Sequence, residues 1–195
     1  MKLNKTLIAV IAAIVIICMW AASGYNSMVS EQEEATKAFA DVQVTCQRRA
    51  DLIPNLVKVV KGYATHEKET LEGVVDARSK ALQIKINPSN MTPEKIKEFM
   101  QAQGELEKAL GRLLAIKESY PDLKANTQFQ TLQAQIEGSE NRVNEARIKY
   151  NAAVQEYNIT VRKFPKNILA GIFGFNTMDK FEAMAGAENA PEVNF

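Results

Sequence analysis

His66 is the only histidine in this sequence, and that scarcity removes several chemistries at once. His66-Glu67-Lys68-Glu69-Thr70 opens like the zinc-protease helix H-E-x-x-H, but Thr70 stands where the second histidine ligand belongs. No Glu-x-x-His pair occurs either, so a di-iron site of the kind built inside four-helix bundles lacks its ligands. Cysteine is almost as scarce. Cys18 and Cys46 would lie roughly 40 Å apart along a helix at about 1.5 Å per residue, too far to pair. Cys46 and His66 stand about five turns apart on the same reckoning, so cysteine–histidine catalysis has nothing to support it. No enzyme and no cofactor is expected. Aromatics are only 7% of the chain, a composition that suits helices and not a β-sandwich.

Charge of one sign is lacking too. The formal net charge is +1, so the chain carries no basic footprint for nucleic acid. What charge asymmetry exists lies at the start. Lys2 and Lys5 are the only ionisable side chains with a full charge before Glu31. Between them and that acid, every residue from Leu7 to Ala22 is apolar, and the run contains neither Gly nor Pro. With Thr6, Ser23 and Gly24 it approaches the roughly 20 residues needed to cross a bilayer as a helix. Trp20 and Tyr25 stand at its far end, where interfacial aromatics belong. Ala21-Ala22-Ser23 before Gly24 also fits a signal-peptide cleavage site, so a retained anchor over 1–24 is the favoured reading and a removed leader the competing one. The positive-inside rule applied to Lys2 and Lys5 puts the N-terminus in the cytoplasm and the rest outside the cytoplasmic membrane.

After the anchor, apolar residues recur at helical spacing. Tyr25, Met28, Ala35, Phe39, Val42 and Cys46 mark a first helix that can continue straight out of the membrane segment. Pro54 should kink or restart it, because proline cannot donate to the Ala50 carbonyl; Asp51 is then the candidate cap. A second stripe runs from Ile53 through Val60, Leu71 and Val74 to Ala81, ending near Asn87-Pro88. Thr92-Pro93-Glu94 reads as a helix start, with Ile96, Phe99, Leu106, Leu110, Leu113 and Tyr120 following until Pro121. Gly104 and Gly111 share a face of this helix, either for close approach or as tolerated surface glycines. Asn126-Thr127 should cap a long last helix reaching Phe164-Pro165, in which Ile136, Val143, Tyr150, Tyr157 and Phe164 fall seven apart along one bundle seam. Ile168–Phe175 is a short apolar segment, and 176–195 reads as a loose tail with one helical turn around Phe181.

Two polar groupings stand out. Arg48, Arg49, Asp51, Pro54 and Asn55 form a knot at the proline, either a partner-binding cluster or a device that satisfies backbone groups freed there. Along the last helix, Asn141, Arg142, Tyr150, Asn151, Tyr157 and Asn158 make a polar and aromatic seam, either a hydrated side of the helix or a set of hydrogen bonds between helices, which the Tyr-Asn doublets fit better. Val193 and Phe195 before a free carboxylate resemble a PDZ ligand, although a plain spacer explains them as well.

Four blocks carry a family resemblance: Tyr25-Asn26 with Val29 and Glu33; Ala40–Val44, Gln47–Val57, Gly62-Tyr63, His66-Glu67 and Ala77-Arg78; Tyr120–Ala125; and Glu140–Arg142, Ala146-Arg147, Tyr150-Asn151, Tyr157-Asn158 and Phe164-Pro165. Over about residues 1–175 the chain resembles the bacterial LemA family. The resemblance implies an N-terminal membrane helix and a compact antiparallel bundle, with a poorly defined molecular function. Cys46 stands where the family usually has tyrosine.

The expectation is therefore an all-α protein: an anchor over 1–24, an antiparallel bundle of long helices over 25–175 and a tail over 176–195. The expected role is a membrane-tethered scaffold or adaptor of the bacterial envelope. A ligand-sensing ectodomain is the alternative, and an enzyme with an unrecognised site comes third. The partners expected are the bilayer through the N-terminal helix, other envelope proteins and a second copy of the chain. The topology is testable: protease added to intact spheroplasts should digest the bundle, and protection until lysis would reverse the orientation.

Overall fold

A computed structural model describes residues 5–87 and 91–181, and within them the chain is helical with no strand. Six helices follow in order: α1 (Lys5–Tyr63), α2 (Lys68–Gln83), α3 (Pro93–Ala115), α4 (Pro121–Ala125), α5 (Thr127–Arg162) and α6 (Lys166–Phe173). The PDZ-like end at 191–195 lies outside the described residues, as does most of the expected tail. The chain forms two compact units: Phe39–Lys149 with Phe181, and residues up to Ala38 with Tyr150–Lys180.

The larger unit is an up-down-up-down arrangement. Arg78 of α2 reaches back to Ala50 of α1, and Gln43 of α1 reaches the chain just after α2, at Ile86. These two helices are therefore antiparallel. Phe39 lies on Phe99, and Arg49 on Gln103, so α3 runs with α1. Glu140 pairs with Arg49 and Asn126 with Tyr63, so α5 returns antiparallel to α1. Ile53, Leu56, Val60, Leu71, Val74, Leu106, Leu110, Leu113, Leu123, Phe129, Leu132 and Ile136 form the shared core. Each such side chain withdrawn from water contributes about 1.5–3 kcal/mol. Gly104 is buried and Gly111 faces open space, so the two readings of these glycines divide between them.

Helix starts are local events. Thr92 caps α3, its hydroxyl accepting from the Lys95 N–H at 3.3 Å, with Pro93 in the first turn. Asn126 caps α5, its Oδ1 accepting from the Phe129 N–H at 2.8 Å.

Several expectations are overturned. Pro54 lies inside α1, which neither stops nor restarts there, and Asp51 caps nothing. The second stripe is not one helix. It breaks after Tyr63 and resumes at Lys68, and the break is held by Tyr120 Oη donating to Glu67 and Asn126 Nδ2 donating to Tyr63 Oη. Tyr120 and Pro121 do not merely end α3: a 3-10 turn at Ile116–Glu118 leads into the short α4, with Pro121 as its first residue. Finally, α5 ends at Arg162 and leaves Phe164 76% exposed, so the seven-residue seam stops at Tyr157.

The smaller unit contains the apolar first part of α1. Leu7, Ile8, Val10, Ile11, Ile14 and Trp20 are all exposed, and this is a helix long and apolar enough to cross a membrane. Further along, Met28 packs with Tyr157, Val161, Leu169 and Ala170. α6 ends at Gly174, whose left-handed backbone (φ 76°) lets the Phe175 N–H bond the Ala170 carbonyl.

Candidate functional site

Of the proline knot, only Arg49 turns inward. It is wholly buried, while Arg48, Asp51, Pro54 and Asn55 are exposed. Asp51 accepts from Gln47 Nε2 at 2.8 Å, and Asn55 lies on a shallow polar groove with Thr127, Gln128 and Thr131. The knot therefore divides into one buried arginine and four exposed residues.

Arg49 belongs to the buried stripe Val42, Cys46, Arg49, Ile53, Leu56, three or four residues apart. Its Nη1 donates to the Glu140 carboxylate of α5 and its Nη2 to Gln103 Oε1 of α3 at 2.8 Å. A buried guanidinium costs several kcal/mol to desolvate, and removing one partner of such a pair costs about 3–5 kcal/mol. Around it stand other buried polar atoms. Arg49 Nε, Glu107 Oε2 and Arg147 Nε have no hydrogen-bond partner among the described residues. Burial and the nearby Glu140 raise the pKa of Glu107, against the opposing pull of Arg49, Arg147 and Lys108. Burial likewise raises the Cys46 thiol, which makes it a poor nucleophile.

The group freed by Pro54 is answered from elsewhere. Proline offers no N–H to the Ala50 carbonyl, and Arg78 Nε of α2 donates to that oxygen at 2.8 Å. The broken backbone bond is replaced by a side chain, which is why α1 runs on.

The seam on α5 also does something other than expected. Asn141 and Arg142 are exposed, and Asn151 is half-buried. Tyr150, Tyr157 and Asn158 each bond the chain after α6. They hold the non-helical stretch after α6. Tyr157 Oη donates to the Asn176 carbonyl at 2.8 Å and Tyr150 Oη to the Asp179 carbonyl at 2.9 Å. Asn158 makes a two-point clamp, its Nδ2 donating to the Met178 carbonyl at 2.8 Å and its Oδ1 accepting from the Met178 N–H at 2.9 Å. Burial raises the pKa of both tyrosines, which keeps them as donors. Phe181 is buried, stacked on Phe39 with Arg147 over its ring, and is not helical. The described part of the expected loose tail is thus fastened.

No group of three or more His, Cys, Asp and Glu side chains that could hold a metal is found among the described residues. His66 and Glu67 lie in the break before α2 and not on a helix as a zinc-protease motif requires.

With these contacts in view, the comparison with known proteins is decisive on kinship: the LemA family model matches residues 38–195. The chain belongs to the LemA family. The match starts after the apolar run and covers 176–195, so the fastened C-terminal stretch falls within the LemA region and the apolar run outside it. Similar curated proteins include magnetosome protein MamQ 2 of Paramagnetospirillum magneticum, 29% identical over 175 residues covering 81% of this chain and 64% of that one. Magnetosome protein MamQ of Magnetospirillum gryphiswaldense is 28% identical, covering 80% and 64%. Protein LemA of Metamycoplasma hominis is 25% identical over 145 residues, covering 74% and 63%. The chain spans a little under two thirds of the length of these relatives.

The contacts bring two LemA-like blocks together in the larger unit: Arg49 of the second bonds Glu140 of the fourth, and Arg78, at the second block's end, bonds back to Ala50 within that block. Sequence reasoning passed over Glu140, Gln103 and Arg78 as site residues. A signal existed for the first two, since Gln103 lies on the stripe of Phe99, Leu106 and Leu110, and Glu140 lies between Ile136 and Val143 at helical spacing.

Two outcomes follow. Glu107 holds its proton more tightly folded than unfolded, so stability should fall as pH rises from the ordinary carboxylate range through its raised pKa. Glu107→Gln should flatten that part of a melting-temperature-versus-pH curve and raise the melting temperature at neutral pH. Asn158→Ala should cost about 1–3 kcal/mol and release the stretch around Met178, read as faster amide exchange there than at α2.

Proposed function

We propose that this LemA-family protein is a membrane-tethered helical scaffold or adaptor, and not an enzyme. The observation that carries the reading is α1. One uninterrupted helix from Lys5 to Tyr63 begins as an exposed apolar rod and later supplies the bundle's buried stripe. A protein built this way holds a folded surface at a bilayer. The wholly buried Arg49 is spent on neighbouring helices, with one nitrogen on Glu140 and another on Gln103, and does not present its charge to an open cleft. The relatives named as magnetosome proteins are named for a structure and not for a reaction, which supports an assembly role. On this reading the N-terminus is cytoplasmic, the bundle lies outside the cytoplasmic membrane, and the partners are other envelope proteins or a second copy of the chain.

A ligand-sensing ectodomain has one observation in its favour. A groove of about 430 Å³ lined by Gln43, Cys46, Leu82, Phe99 and Gln103 opens beside the partners of Arg49. The scaffold reading is tested by purifying the full chain from native membranes in gentle detergent. Defined partner proteins, or a stable homo-oligomer, should accompany it in constant ratio. A monomer that retains only a small molecule would favour the sensor instead.

A further inference from the structure

We propose that α6, with Phe164 just before it, is a second contact with the bilayer, seated at the membrane surface beside the point where α1 leaves it. The proposal rests on the reading of α1 as the membrane span.

The first observation is apolar character on two sides of a short helix. The inward side is occupied: Leu169 and Ala170 are buried against Met28, Tyr157 and Val161. The outward side is not. Ile168 and Ile172, one turn apart, are 53% and 70% exposed, and Phe164, one turn earlier, is 76% exposed. A helix apolar on both sides in water is unfavourable; such helices are buried or lie against lipid.

The second observation is where α6 sits on α1. A Cβ added at Gly24 would stand 2.8 Å from Leu169 Cδ1, and Ala21 packs on the same cluster. The Tyr25 ring meets Phe173 edge-on at 5.0 Å and Phe175 at 5.5 Å. The apolar run ends at Ala22, so α6 docks at the level where the span gives way to water, between Trp20 and Tyr25 in the zone that aromatic side chains favour. The outward side chains of α6 thus continue the exposed apolar surface of α1.

The third observation is charge. From Tyr157 to Met178 the sequence has no Asp or Glu, while Arg162, Lys163 and Lys166 supply three bases. Lys166 is fixed at this level, its Nζ donating to Ser27 Oγ at 3.0 Å. Bases flanking an interfacial apolar helix are what anionic headgroups attract. A second copy of the chain fits less well. A stable dimer interface buries about 800 Å² per partner, more than the outward side of an eight-residue helix offers, and the bases would repel their own copies.

The test uses the full chain in vesicles of phosphatidylcholine and phosphatidylglycerol, with Cys18→Ala and Cys46 left buried. An environment-sensitive NBD label is placed at Ile172→Cys and, separately, at Ile14→Cys. Both should be quenched by nitroxide lipids and shielded from iodide, the first by headgroup-proximal nitroxide and the second by nitroxide deep in the chains. Substituting Gln for Arg162, Lys163 and Lys166 together should weaken lipid quenching at 172 and leave that at 14 unchanged. If the label at 172 is quenched by iodide as strongly as free NBD-cysteine, or is shielded from both quenchers, the proposal fails while the span stands; the second result would point to a protein partner. If the triple variant quenches like the parent, the headgroup contact is refuted. Loss of lipid quenching at 14 would overturn the span and this proposal with it.

Discussion

A guanidinium wholly out of water must find its hydrogen-bond partners inside the protein, and Arg49 finds them on two different helices. Leucine at this position would accept many small displacements of its neighbours. An arginine with fixed donor directions does not, because each displacement leaves a buried charge without a partner. The register of α1 against α3 and α5 is therefore specified at one point in the larger unit. The apolar stripes of Leu106, Leu110 and Ile136 supply most of the stabilisation but much less of the selectivity among alignments.

The same logic governs the smaller unit on a gentler scale. Tyr150, Tyr157 and Asn158 present polar atoms along one face of α5, and a stretch of backbone without helical bonds of its own lies against them. Each side satisfies what the other could not satisfy alone. The arrangement resembles strand pairing, with side-chain amide and phenol groups in place of one strand.

How much of this was legible in the sequence depends on how local its cause is. Thr92 and Asn126 were readable as caps because a cap involves three or four consecutive residues. The continuity of the apolar segment into α1 was readable because Gly24 is the one strong helix breaker between Ala22 and Phe39. The break after Tyr63 was not, since its supports come from Tyr120 and Asn126, far along the chain. Pro54 misled for the same reason: the local rule is sound, and a donor from α2 overrides it. The seam on α5 was visible as a set of polar residues, but its partner was a segment whose sequence has no periodicity to read. Arg49 was picked for its neighbours in sequence, whereas its phase on the stripe of Val42, Cys46 and Ile53 was the better guide.

The bond from Arg78 to the Ala50 carbonyl has a consequence for cooperativity. A helix that contains proline is ordinarily weakest one turn before it, and here that turn is completed by a side chain of another element. Secondary structure in α1 and docking of α2 are thus not separable steps. If α2 detaches, the turn at Ala50 loses its donor; if that turn opens, α2 loses its acceptor. The proline that should have divided the helix instead ties its integrity to a neighbour, so that this stretch of the protein opens as one unit or not at all.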